Sequence, residues 1–140
     1  MTEIRRSIEI SAPKEKVWSF INPKNWADLF DSVESVDGYN DGQPGVGTKA
    51  SVVAGNDALT TIKYRVEITE FLESNRIVYR RYGGPLSGKG IIELKELQIG
   101  TLLERVSQYD DDLSENILDT LSAGMEKDNL KIKQLVEADR

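Results

Sequence analysis

Residues 112–138 read DLSENILDTLSAGMEKDNLKIKQLVEA, and this is the one long stretch of the chain with sustained helical periodicity. With Ile117 set at zero and about 100° allowed per residue, Leu113, Ile117, Leu118, Leu121, Met125, Ile132 and Leu135 fall in one broad arc. A helix with such an arc needs a surface to lie on. The middle of the arc also holds Gly124 and Asp128, one turn apart. Neither is chosen merely to fill a core, because glycine costs about 1 kcal/mol relative to alanine inside a helix and a buried carboxylate needs a partner. At the start, Asp112 is expected as N-cap with Glu115 as its reciprocal partner, and the run 110–112 compensates the helix dipole. A calcium loop on the same aspartates would require glycine where Glu115 stands.

The composition bounds what such a helix can serve. A chain of 140 residues suits a single domain over 1–140, able to bury roughly 68% of its unfolded surface. The net charge of -6 argues against affinity for nucleic acid or anionic lipid. No run approaches the ~18 apolar residues of a membrane span, and Glu3, Arg5 and Arg6 with no apolar block exclude a signal peptide. A cytoplasmic location is the expectation. The chain has neither cysteine nor histidine, which removes disulfides, thiolate nucleophiles, imidazole bases, Ser-His-Asp triads and the usual zinc sites together.

Ahead of the helix the pattern is one of short strands. Ile4, Arg6, Ile8 and Ile10 alternate with Arg5, Ser7 and Glu9, a strand at 4–10 buried on one face. Ser11 is placed as a helix cap, Pro13 in the first turn, and Val17, Phe20 and Ile21 as a short apolar stripe; Asn22 and Pro23 repeat the signal for a second short helix carrying Trp26, Ala27, Leu29 and Phe30. From Val33 on, Gly, Pro and Asn clusters space out strands at 33–40, 46–55, 60–72, 76–83, 89–98 and 101–109. Ile62, Tyr64, Val66 and Ile68 alternate with Lys63, Arg65, Glu67 and Thr69, so the sheet is covered on one side, and only the last helix is long enough to cover it. The glycine-rich loops 37–47 and 83–90 are read as mobile rims.

This pattern resembles the START-like superfamily, also called Bet v 1-like or SRPBCC, and within it the polyketide cyclase/dehydrase and lipid transport group. The likeness spans nearly the whole chain. It rests on Ala12-Pro13, Val17-Trp18, Asn22-Pro23, Trp26, Val33 and Val36 after the first strand, on Gly45 and Gly47, on the turn 73–78 (Glu-Ser-Asn-Arg-Ile-Val), and on Gly100-Thr101 before the last strand. It implies an α+β helix-grip fold, β-α-α-β6-α, in which a curved seven-stranded antiparallel sheet wraps a long C-terminal helix and leaves a cavity between them. Members bind or carry lipids, quinones, polyketides and plant hormones, some catalyse cyclisation or dehydration, and others act on chaperones.

Several residues stand out as site candidates. Tyr64 and Tyr79 lie in alternating strands, where each hydroxyl can serve either a ligand or the core. Arg80, Arg81 and Tyr82 suggest an anion site, but neighbouring arginines in a strand point to opposite faces, so at most one lines a cavity. In the last strand Leu102, Glu104, Val106 and Gln108 share one face and Leu103, Arg105, Ser107 and Tyr109 the other, and the alternation alone leaves the phase open. An inward Arg105 beside Asp128 would satisfy both charges. Gly83, Gly88 and Lys89 match a phosphate-loop spacing, but Gly90 replaces the hydroxyl residue and a strand follows instead of a helix.

The expected function is binding of a hydrophobic or amphipathic small molecule by Tyr64, Tyr79, Arg105, Leu121, Gly124, Met125, Asp128 and Ile132, with Trp26, Phe30, Gly84 and Pro85 at the cavity mouth. No cofactor and no metal is implied. The alternatives are a cyclase or dehydratase using Asp128 as acid or base in the same cavity, and an interaction module with a vestigial cavity. Catalytic residues and oligomeric state are left open.

Overall fold

The computed structural model describes residues 1–21, 25, 26, 33–37, 45–54 and 62–139. The expected second short helix, Phe30 included, lies outside them except for Asn25 and Trp26. Strand β1 (Thr2–Ile10) leads to helix α1 (Lys14–Phe20), and then come β2 (Val33–Asp37), β3 (Lys49–Ala54), β4 (Ile62–Leu72), β5 (Arg76–Tyr82), β6 (Gly88–Glu96), β7 (Thr101–Tyr109) and the long helix α2 (Glu115–Ala138). The strands form one antiparallel sheet in the order β1-β7-β6-β5-β4-β3-β2. Residues 46–48, expected in a strand, form the turn into β3, with Thr48 N–H donating to Gly45 O.

Period-two burial decides which face meets the helix. Across neighbouring strands Ile4, Ser107, Gly90, Tyr79 and Ile68 stand in register as one row, and Tyr109, Gly88, Arg81 and Val66 as the next. A register shift between Ile68 and Glu70 bends β4 and aids the curl of the sheet. In β7 it is Thr101, Leu103, Arg105, Ser107 and Tyr109 that are buried on this inner face.

Both helix starts differ from expectation. Pro13, with its ring-fixed φ of -68°, is the N-cap of α1, while the N–H of Ser11 donates to the Glu137 carboxylate at 2.8 Å. At α2 the cap is Ser114, which accepts from Ile117 N–H at 3.4 Å; Asp112 instead pairs with the Met1 amine at 2.8 Å. The buried face of α2 is Met125, Asp128, Asn129, Ile132 and Val136, whereas Ile117 and Leu135 are 44% and 39% exposed. The helix is therefore turned by roughly half a residue's step from the arc drawn on apolar residues alone. The cause is that Asp128 and Asn129 occupy the inner face, so a purely apolar count is pulled toward the opposite flank.

Helix α2 lies along β1, and its end is tied to the bend between β1 and α1 by Lys133 to the Glu9 carbonyl, Glu137 to Ser11 N–H, and Lys16 to the Asp139 carbonyl. The hydrophobic interior beneath it comes in two pieces. The larger gathers Ile10, Val17, Ile21, Trp26, Val52, Val66, Ile68, Ile77, Ile92, Leu103, Ile132 and Val136; the smaller has Ile4, Tyr109 and Met125 at its centre, with Leu86, Leu113, Leu118 and Leu121 against them.

Candidate functional site

Polar groups on the inner face separate the two apolar clusters. From β7, Arg105 reaches toward α2, its Nη1 3.3 Å from Asn129 Oδ1 and 3.9 Å from Asp128 Oδ2. Arg105 is 8% exposed and Asp128 4%. An aspartate in an apolar helical stripe is explained by this guanidinium, since a buried charge persists only when it is paired and hydrogen-bonded. Arg6 stands directly opposite Arg105 in the β1–β7 register, and Arg6 in turn meets Glu126 at 2.9 Å. Two like charges face each other across the strands, and α2 sets one carboxylate against each.

Strands β4 and β5 supply the other wall. The Tyr79 ring lies over Gly90, where any Cβ would stand 2.1 Å from its Cζ, so the glycine in β6 is the space the ring uses. The ring also meets Trp26, tilted, at 5.1 Å between ring centroids. Tyr64 is half-buried. Burial, and then Tyr79 beside it, raise its pKa well above the usual tyrosine value, while the Arg81 and Arg105 charges pull the other way. The hydroxyl thus stays protonated as a donor at any physiological pH. Among the described residues neither tyrosine hydroxyl has a hydrogen-bond partner.

The sequence candidates divide by position. Tyr64, Tyr79, Arg105, Asp128, Met125 and Ile132 all sit between the sheet and α2, with Leu121 half-buried on the smaller cluster. Gly124 is on the flank of α2, not at its buried centre, and a Cβ there meets nothing within 4 Å. Trp26 is 3% exposed in the larger cluster, its Nε1 donating to Ile21 O at 3.2 Å, a core position and not a rim one. Phe30 lies outside the described residues. Gly84 and Pro85 are in the β5–β6 connection, where Gly84 packs so closely on Lys63 O that a Cβ would come within 2.2 Å. In that connection Ser87 Oγ donates to Gly84 O and Asp110 N–H to Ser87 O.

Asn129, Ser107 and Tyr109 share the inner face and were not among the expected ligand-binding residues, and of Arg80 and Arg81 it is Arg81 that faces inward. A signal existed for Arg81: it is two residues from Tyr79, so the period of a strand places the two side by side.

A family model for polyketide cyclase / dehydrase and lipid transport matches residues 1–137. The chain belongs to this family. Solved structures show the same Bet v 1-like fold, an antiparallel sheet with a long C-terminal helix. A protein of Chromobacterium violaceum superposes with a TM-score of 0.77 at 22% identity over 98% of this chain and 99% of its own. Ara h 8.0201 gives 0.74 at 15% identity over 99% of each chain, and the Aha1 dimer from Colwellia psychrerythraea 0.74 at 12% over 98% of this chain and 97% of its own. No curated protein matches the sequence. In this member of the polyketide cyclase / dehydrase and lipid transport family, no described helix is long and apolar enough to cross a membrane, and no cluster of three or more metal-ligating side chains forms among the described residues. The chemistry at hand is that of hydrogen bonds and one buried ion pair against apolar walls.

Proposed function

We propose that this chain, as one cytoplasmic domain over residues 1–140, binds or carries a hydrophobic or amphipathic small molecule between the sheet and α2. Its apolar body lies along Leu121, Gly124, Met125 and Ile132, and its polar end meets Tyr64, Tyr79, Arg105 and Asp128. The observation that carries this reading is the pair of tyrosine hydroxyls that have no hydrogen-bond partner among the described residues, on rings packed against the larger apolar cluster. A hydroxyl donor that no protein group engages is available to a polar group of a bound molecule. Membership of a family described by polyketide cyclisation and lipid transport supports the same class of ligand.

A cyclase or dehydratase would use Asp128 as its acid or base. The Arg105 guanidinium already engages that carboxylate, which suits it to orienting a ligand more than to exchanging protons. Native mass spectrometry of freshly purified protein tests the binding reading. The expected result is a small molecule that leaves on organic extraction and is retained less well by Tyr64→Phe/Tyr79→Phe. A protein that is apo as isolated, and whose thermal transition no lipid, quinone or polyketide raises, overturns it.

A further inference from the structure

Arg81 is a buried cation that the reading above does not use. It is 8% exposed and faces inward in register with Val66 and Gly88. In the row Arg81, Gly88, Tyr109 the guanidinium reaches past β6 to the ring of Tyr109, 4.6 Å from its centroid. Nε donates to Leu86 O at 3.1 Å, and Nη2 to Gln108 O at 2.6 Å and Lys89 O at 3.4 Å. All these partners are neutral. They fix the guanidinium without cancelling its charge, and among the described residues no carboxylate pairs with it. Nη1 takes part in none of these bonds, so two N–H groups of a fixed fork have no protein acceptor. Tyr109, which the guanidinium stacks on, is at the centre of the smaller apolar cluster with Ile4 and Met125, and Leu86 and Leu121 pack beside it.

A buried charge with neutral partners in an apolar setting is costly, and an anion brought in by a ligand offsets that cost. Among the described residues Asp128 lies against Arg105, while no carboxylate pairs with Arg81. Resting on the binding reading, we propose that the ligand has one anionic head on an apolar body, the head held by Arg81 Nη1 and the Tyr64 hydroxyl and the body lying on Leu86, Leu121 and Met125. Tyr64 suits this role because it is two residues along β4 from Val66, the partner of Arg81, and its hydroxyl keeps its proton.

The test is displacement of the neutral dye N-phenyl-1-naphthylamine at about pH 8, where a carboxylic acid is ionised, by dodecanoate, dodecyl phosphate and dodecanol. Wild-type protein should bind at least one of the two anions about tenfold more tightly than the alcohol, the worth of a charged hydrogen bond. Preference for dodecanoate identifies a free carboxylate, and preference for dodecyl phosphate a phospholipid-type head. Arg81→Gln should lose the preference and keep its affinity for dodecanol, which also shows that the fold survives. If that variant does not fold, Tyr64→Phe serves in its place and should reduce the preference several-fold. Equal binding of all three by wild type, or a preference that persists in the folded variants, overturns the anionic head and leaves the binding reading standing. Failure of all three to displace bound dye removes this proposal and the binding reading together.

Discussion

At the scale of single residues, Asp128 is the position where charge and burial conflict, and the conflict is settled by Arg105 across the interior. Removing one member of such a pair leaves the other buried without its counter-charge, which costs about 3–5 kcal/mol, whereas replacing both by apolar groups is close to neutral. Asp128→Leu is therefore expected to lower the urea midpoint strongly, and Arg105→Met/Asp128→Leu to recover most of the loss. Equal stability of the single and double variants would show that the pair contributes nothing as a pair. Gly124 has open space where its Cβ would go. Gly124→Ala should then stabilise the protein by about 1 kcal/mol through helix propensity alone, read from the same urea curves. Asp128 could be singled out in the sequence because it interrupts an apolar stripe. Arg105 could not be assigned a face there, since both faces of the last strand mix charge and leucine-class side chains, and only contact with α2 decides between them.

At the scale of elements, the last turns of α2 are fastened by polar bonds as well as by the packing of Ile132 and Val136. Glu137 accepts from Lys133 Nζ at 2.6 Å and from the Ser11 N–H, and these bonds hold its carboxyl below the ordinary value of 4.5, the lysine contributing most. A depressed folded-state pKa means stabilisation that is present above about pH 4.5 and is lost as the pH falls through the folded value. The Ser11 amide should accordingly gain exchange rate and shift its NMR resonance as Glu137 is protonated, while Val17 and Ile132 amides stay protected. Glu137→Gln should abolish the pH step. Alternation made most of the strands legible, because one wet and one dry face impose period two. The cap positions were less so. Ser11 and Ser114 are equally good caps by type, but Ser11 N–H is drawn to Glu137 and Pro13 takes the start of α1, a choice made by contacts distant in sequence.

At the scale of the whole molecule, the fold was readable from sequence because its marks are local: a proline entering a helix, a turn such as 73–78, a glycine before the final strand. The proposed site was less readable because its residues come from β4, β5, β7 and α2, and they are brought together only once those elements meet. Arg81 and Tyr109 are neighbours only across the sheet, on either side of β6, which no local pattern announces. Tyr64 and Tyr79 could be picked out as polar residues on a buried face. That Gly90 lies under one of them could not.

The strand order places β1 beside β7, so that Thr2 pairs with Tyr109 and the Met1 amine meets Asp112. These closures join segments at opposite ends of the described chain, and loop-closure entropy makes such long-range contacts late and slow. The interior between sheet and helix is completed by the same event, because α2 lies along β1. A ligand of that interior consequently has nothing to bind before the rate-limiting barrier is crossed. It should slow unfolding in proportion to its occupancy and leave the refolding arm of a chevron plot where it was.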